Sequence, residues 1–471
     1  MKKLLSVFIF LIIPLLIAVP GYMGWQTQRY MEDLSRYIDD LPQYSASWRE
    51  YQRGWFSSQG IIEVAINDIP VSGTADNLTL PFNVALTHGP VLIKERLGAG
   101  WFDLQISLLD QQEDYLKSVL AVRGDGPVYQ LTARMNLLGN TAIVDRWLPF
   151  DYHDGDTRVL ANGYEGRGNI GVDRVLDYSL KASRLAIFND GAGFEIDVGG
   201  VSGAVRAELA KLHAANVAPG SITLSVDSIE TSAQGGAQAL GTVEGLTLLA
   251  QTWLSENDTK VNSKSSFTVR RVNYPAIDLM LNDVFLDLAY KDFSLAFIEQ
   301  YQTVLNSAPN DAGASYWQEH VGNLILDELL PASPKMLLER LQFSSPEGQF
   351  VSHASLSVEG NALASAGISP QYPMAVLPYL VFSLNASADE PVVRAMVGRY
   401  IEGQIKAQLE ADGVSTSDAD IEATVSAQTQ QMLDLFVAQK FVAFRAQKYE
   451  LDLKYEKGEA TLNGEPVPLP F

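Results

Sequence analysis

The amino-acid sequence predicts an α+β chain: an amino-terminal transmembrane helix, then an extended and mainly antiparallel β-sheet body with a carboxy-terminal helical hairpin and a closing β-hairpin. Three observations carry this prediction. No residue from Leu4 through Gln28 is charged. The middle of the chain alternates apolar and polar residues with a period of two, the signature of half-buried strands. Two stretches after residue 390 repeat apolar residues three and four apart, as amphipathic helices do.

The amino terminus reads MKKLLSVFIFLIIPLLIAVPGYMGW. At about 1.5 Å per residue, roughly 20 such residues cross a bilayer core. Leu4, Phe8, Ile12, Leu16 and Trp25 mark this anchor, with Tyr22 and Trp25 where an interfacial aromatic belt sits. A removed signal peptide is the competing reading, but Ala18-Val19-Pro20-Gly21 puts proline where cleavage needs freedom. An uncleaved span is therefore favoured, with Pro14 and Pro20 as kinks. Lys2 and Lys3 precede it, and Glu32, Asp33, Asp39 and Asp40 follow. The positive-inside rule then places the amino terminus in the cytoplasm and everything after Trp25 outside. Met31, Leu34, Ile38 and Leu41 continue at helical spacing as an amphipathic stalk that Pro42 ends.

The chain has 471 residues, a formal charge of -22, 47% hydrophobic residues and 19% charged ones, as a folded chain does. Its acidity disfavours nucleic acid and bare anionic membrane as partners. Without cysteine there is no disulfide framework, thiolate metal site or thiol nucleophile.

In the body, Leu78, Leu80, Phe82, Val84 and Leu86 alternate with Thr79, Pro81, Asn83, Ala85 and Thr87, a strand whose proline points to an edge or bulge. The same alternation runs through Leu104 to Leu108, Tyr129 to Met135 and Phe350 to Val358. A weak repeat aligns segments starting at Leu180, Leu224 and Leu279, in which two polar residues reverse the apolar parity. Bulges at Ser183-Arg184, Asp227-Ser228 and Asn282-Asp283 are the expected cause. Helices are expected at Asp292 to Asn306, Trp317 to Leu341 with Pro331 and Pro334 interrupting, Pro391 to Leu409, and Asp418 to Phe444 behind a Ser415-Thr416-Ser417 cap. In YELDLKYEKGEATLNG, Tyr449, Leu451, Leu453 and Tyr455 share a face, and Lys457-Gly458 and Asn463-Gly464 supply the turns. The expected divisions are an anchor at 1–25, a stalk at 26–45, a β-rich body at 46–290, a helical region with intervening strands at 291–445 and the hairpin at 446–471.

The candidate chemical motifs are weak. GRGNIG, Gly166 to Gly171, has dinucleotide-fingerprint spacing but is followed by strand rather than a helix, so glycine turns are the better reading. DYHDGDT, Asp151 to Thr157, lacks the Glu an EF-hand-like loop needs at its twelfth position, which is Asn162, and reads as a solvated acidic turn. GGVSGA around Ser202 lacks the last glycine of a nucleophile elbow. The histidines show no metal-ligand pair spacing, and His88 reads as a turn histidine bonded to backbone. No cofactor, metal or catalytic residue is expected.

One stretch concentrates aromatic rings: EYQRGWFSSQG. Were Tyr51 to Ser57 a strand, Tyr51, Arg53 and Trp55 would share a face, with arginine between two rings. Gly54 gives the backbone room to bend, and Phe56 faces the other way. Tyr51, Arg53, Gly54, Trp55, Phe56 and His88 are accordingly the candidate interaction residues or structural joint. With the apolar amino terminus, THGP at Thr87 to Pro90 and the closing YELDLKYEKGEATLNG, the chain resembles the YdgA-like family of bacterial cell-envelope proteins, a family of unknown function. The resemblance implies a single-span inner-membrane protein with a periplasmic body, and brings no catalytic residues.

The expected function is a non-enzymatic, membrane-tethered binder of another envelope protein or of itself. The alternative is an AsmA-like protein that shields or moves lipid along an apolar sheet groove, by fold-level analogy. Coverage of the apolar faces at Leu78 to Leu86 and Tyr449 to Tyr455 by the carboxy-terminal helices discriminates the two.

Overall fold

The computed structural model describes residues 19–33, 35–36, 44–66, 70–71, 74–75, 78–93, 97–211, 217–233, 239–255, 257–309, 313–368, 373–412 and 417–468. Contacts divide the chain into two units, Met1–Ala214 with Leu224–Ala239, and Ala215–Thr223 with Leu240–Phe471.

In the first unit nine strands hydrogen-bond in series, every neighbour antiparallel: Tyr44–Arg53, Ser57–Ile66, Leu78–His88, Phe102–Leu108, Tyr129–Met135, Thr141–Trp147, Tyr164–Ile170, Val175–Asn189 and Phe194–Glu208. Each one-sided strand lines its apolar residues up with its neighbours'. Ser58, Leu86, Leu104, Ala133 and Ile143 fall opposite one another across five strands. Alternation of this kind fixes register, because a slip of one residue would turn the whole apolar set to solvent.

The transmembrane prediction needs correcting. Residues 19–33 are helical, but the helix lies on this sheet. Pro20, Met23, Gly24, Thr27 and Met31 form its buried stripe, while Tyr22, Arg29, Tyr30, Glu32 and Asp33 face outwards. Met31 packs into a core of Ala46, Ile62, Val84, Leu86, Leu104 and Ala133. No helix among the described residues is long and apolar enough to cross a membrane. Leu4, Phe8, Ile12 and Leu16 lie outside the described residues, as do Leu34, Ile38 and Leu41 of the expected stalk. The fold class is therefore an antiparallel sheet architecture with helices laid on it, and no transmembrane helix is found among the described residues. Three charges at Arg29, Glu32 and Asp33, and a stripe small enough at Gly24 and Thr27 to meet a sheet, explain why this helix packs as it does.

Pro81 also sits differently from expectation. Leu78–His88 has a partner on each side, and Pro81 lies just outside the second ladder, which begins at Phe82 opposite Leu108. Its carbonyl still accepts from the Leu109 N–H at 3.0 Å, so a residue without an N–H costs nothing there.

The second unit is a further antiparallel series: Ala239–Leu254, Lys260–Tyr274, Leu279–Ser294, Lys335–Ser345, Gly348–Val358, Leu380–Asp389 and Lys448–Glu456. Glu459–Leu462 completes the closing hairpin, whose turns put Lys457, Gly458, Asn463 and Gly464 at positive φ, as two-residue hairpin loops require. The parity reversal expected at Asn282-Asp283 is a break in register with Asp283 at φ 50°. In the first unit the break at Ser183 stands across from Gly200, which has φ 61°.

Helices Leu295–Ser307, Glu390–Asp412 and Asp418–Ala438 occupy three of the expected segments, the first capped by Ser294 and the last by Ser417. The fourth expectation extends too far. The helix Ala314–Leu324 gives way to a π turn at Ile325–Leu329 and a short 3-10 turn at Leu330–Ala332, and Leu341 lies in a strand. Pro331 and Pro334 interrupt the helix there, and beyond them the period becomes two. Phe444 likewise belongs to the strand Ala443–Arg445.

Candidate functional site

The aromatic stretch is a hairpin tip. The strand ends at Arg53, and the Gly54 N–H donates to the Ser57 carbonyl at 2.8 Å. A side chain at Gly54 would meet that carbonyl at 2.7 Å, so only glycine fits. Trp55 and Phe56 are thus turn residues, 53% and 58% exposed. Arg53 does not lie between two rings as a continuous strand would place it. It donates to Gln28 Oε1 on the helix at 3.3 Å, and Tyr51 instead meets Trp48 edge-on at 5.1 Å. Burial raises the Tyr51 phenol above its ordinary pKa.

His88 is reached from the next strand. Its N–H donates to the Phe56 carbonyl at 2.7 Å, locking the tip to Leu78–His88. Its side chain is 1% exposed and its Nε2 lies 2.9 Å from Ser58 Oγ, so the expectation of a turn histidine held only by backbone is corrected. The register explains the pairing: Ser58 stands opposite Leu86, and His88 is two residues on, on the same face. Gly24 of the helix lies directly on the ring at Nδ1, which has no hydrogen-bond partner. Burial lowers the pKa of His88, a hydrogen bond donated by the ring to the Trp55 backbone opposes this, and the Arg53 charge adds to the lowering. Trp55 lies against Gly21, Tyr22 and Trp25 have ring centroids 6.1 Å apart, and Arg29 stacks 3.8 Å over Trp25. All six candidate residues therefore gather at one end of the first unit. The helix, which no motif flagged, completes the group through its small residues Gly21 and Gly24.

The remaining motifs have structural explanations. In GRGNIG, Gly166 and Gly168 lie inside the strand Tyr164–Ile170, which corrects their reading as turns. Tyr178 of the next strand lies across them, and its hydroxyl donates to Asp145 Oδ1 at 2.7 Å. A side chain at Gly166 would collide with that hydroxyl and with Asp145. Burial and the neighbouring Asp145 charge push Tyr129 up to about 12 and raise Tyr164 and Tyr178 as well. In DYHDGDT, Asp151 is 7% exposed rather than solvated. Arg158 grips both its oxygens at 2.8 and 2.7 Å, and Arg123 adds a contact at 2.8 Å. The Arg158 hydrogen bonds bring its carboxyl down to about 2. Ser202 lines an open polar cavity of about 810 Å³ with Arg146, Glu165, Lys181 and Asp227. Among the described residues no group of three or more histidine and carboxylate side chains is placed to hold a metal ion.

The apolar faces named as discriminators are covered differently from each other. Of the first face, Phe82, Val84 and Leu86 lie under the amino-terminal helix. At Tyr449 to Tyr455, Glu390–Asp412 packs on the strands, and the Tyr455 hydroxyl donates to the Leu377 carbonyl at 3.0 Å. Farther along the same unit, Leu248, Phe267, Leu286 and Leu341 stand in one register row, each partly exposed.

The chain belongs to the family described as bacterial protein of unknown function (DUF945), whose model matches residues 1–470. No curated protein and no solved structure matches it.

Proposed function

We propose, with membership of this family as the premise, that the chain is a non-enzymatic binding protein that docks another envelope protein, or a second copy of itself, at the aromatic hairpin tip. The succession of YQRGWFSS, THGP and YELDLKYEKGEATLNG supports the finer reading that the chain is YdgA-like. The observation that carries the docking reading is the exposure of Trp55 and Phe56 on a turn whose base is fixed by the buried Ser58–His88 contact. Aromatic anchors on a preorganised loop lose little entropy on binding and dominate interface energetics. A photo-crosslinking amino acid in place of Phe56, in cells, tests it. A discrete protein adduct or a dimer is expected, reduced about tenfold or more by Trp55→Ala with the fold intact. Absence of any protein adduct refutes it.

A second reading rests on the row Leu248, Phe267, Leu286 and Leu341, whose opposite face carries Asp287, Arg340 and the Lys264–Glu339 pair. A sheet apolar on one side and charged on the other suits an acyl chain lying along it. Lipid that co-purifies with the protein and is lost in Leu286→Asp supports this reading over the first. Lipid-free protein refutes it.

A further inference from the structure

Resting on the docking reading above, we propose that the helix of residues 19–33 is an acid-released strap over the hairpin, held shut by the contact of Gly24 with the buried Ser58–His88 pair. The stripe from Met23 to Met31 closes over the ring and over Ala46, Ile62, Val84, Leu86 and Leu104, so lifting it bares an apolar seat beside Trp55 and Phe56.

The geometry makes the closed state intolerant of a second proton on the ring. When His88 is neutral with its proton on Nε2, that N–H donates to Ser58 Oγ and Nδ1 carries only a lone pair, so no donor is left without an acceptor. When it is charged, both nitrogens carry N–H, and the one at Nδ1, which has no hydrogen-bond partner, faces the backbone of Gly24, while the hydrogen bond to the Trp55 backbone offsets less than burial costs. An unpaired charged donor in a dry site is costly, and lifting the helix gives it water.

The charged and titratable groups on the elements packed against the ring are Arg53 and Tyr51 on the hairpin, Arg29 and Glu32 on the helix, and Asp103 opposite Thr87 on the neighbouring strand. Of these, the Arg53 charge acts on His88, and it works with burial against protonation. A ring whose pKa is lowered in the closed state stabilises that state above its ordinary value of about 6.5 and ceases to do so as pH falls through the closed-state value. Across that window the opening equilibrium rises by up to about tenfold per pH unit.

Hydrogen exchange of the full chain, read on the amides of residues 19–33 at pH 8, 7, 6 and 5 and corrected for intrinsic rates, tests the strap. Protection of the wild type should fall by up to about tenfold per unit below pH 6.5, while His88→Gln holds it level. Gly24→Ala, which wedges a methyl against the ring, should loosen the helix already at pH 8. A level wild-type profile overturns the proposal, and so does an equal slope in His88→Gln. If His88→Gln does not fold, titration of the wild-type His88 by proton NMR decides, because a His88 that titrates at or above the ordinary histidine value of about 6.5 also overturns it. None of these readouts needs a partner. Trp55→Ala, expected to weaken docking about tenfold or more, should leave the pH slope unchanged, so the two readings fail separately.

Discussion

The amino-terminal end of the first unit and the long strands of the second are both antiparallel sheet, but they are held together by different forces. At the amino-terminal end a helix closes over one face, and Val84, Leu86 and Leu104 are buried there. In the second unit Leu248, Phe267, Leu286 and Leu341 line up just as well, yet each keeps part of its surface in solvent. That sheet leans on its backbone ladders and on a charged face, where Arg340 pairs with Asp287 at 2.8 Å and stacks 4.0 Å over Phe285. Alternation in a sequence thus marks which side of a strand is apolar, but not whether anything covers it.

Removing the same leucine atoms from both places should separate the two sheets most clearly. Leu86→Ala empties a fully packed site and should cost about 2–5 kcal/mol. Leu286→Ala gives up only partly buried surface and should cost less than about 1.5 kcal/mol. Urea unfolding of the two variants measures the difference, and equal losses would mean that the second face is covered after all.

Next in size is the Asp151 cluster, a polar device inside a sheet that otherwise relies on apolar contact. Asp151→Asn removes the charge that Arg158 and Arg123 grip and should cost roughly 1–3 kcal/mol at neutral pH. Because the native carboxyl is held down at about 2, its contribution is complete above the ordinary value near 4 and disappears as pH falls from there towards 2. The wild type should therefore lose stability over that window more steeply than the variant. Thermal melts at pH 5, 4, 3 and 2 show whether it does.

Most of the strands were legible because one face is apolar throughout, and the helical hairpin because its cap at Ser417 and its stripe agree. The candidate site was legible only as a cluster of aromatic residues. Its hairpin geometry depends on Gly54, and its cover depends on Gly21 and Gly24, residues that leave no apolar period to read. The helix Asp110–Leu120 went unread for a different reason: none of its residues is buried, so nothing imposes a stripe. GRGNIG misled because glycine inside a strand makes room for a neighbour's ring, here Tyr178, as readily as it makes a turn.

Gly166→Ala forces a methyl into Tyr178 and Asp145 and should cost about 1–3 kcal/mol by overpacking. The tyrosines there also leave an alkaline signature. Tyr129 is pushed up to about 12, so the neutral phenol favours the folded state below pH 10, and the benefit is lost as pH rises from 10 towards 12. Raised values at Tyr164 and Tyr178 act in the same direction. Tyr178→Phe should flatten the loss of stability between pH 10 and 12, which circular dichroism melts can follow.

The smallest expected effect falls on the charged face of the second unit. Lys264 and Lys291 both reach Glu339, at 2.6 and 3.5 Å, and Lys264 does most to lower the Glu339 pKa. All three side chains keep about a third or more of their surface in water, where screening leaves an ion pair worth about 0–1 kcal/mol. Lys264→Gln should therefore shift urea stability by less than about 1 kcal/mol, and added salt should erase the difference. A larger, salt-insensitive loss would mean that this face is shielded from water, and the one-sided sheet on which the lipid reading depends would then have to be exchanged for a sheet covered on its polar side.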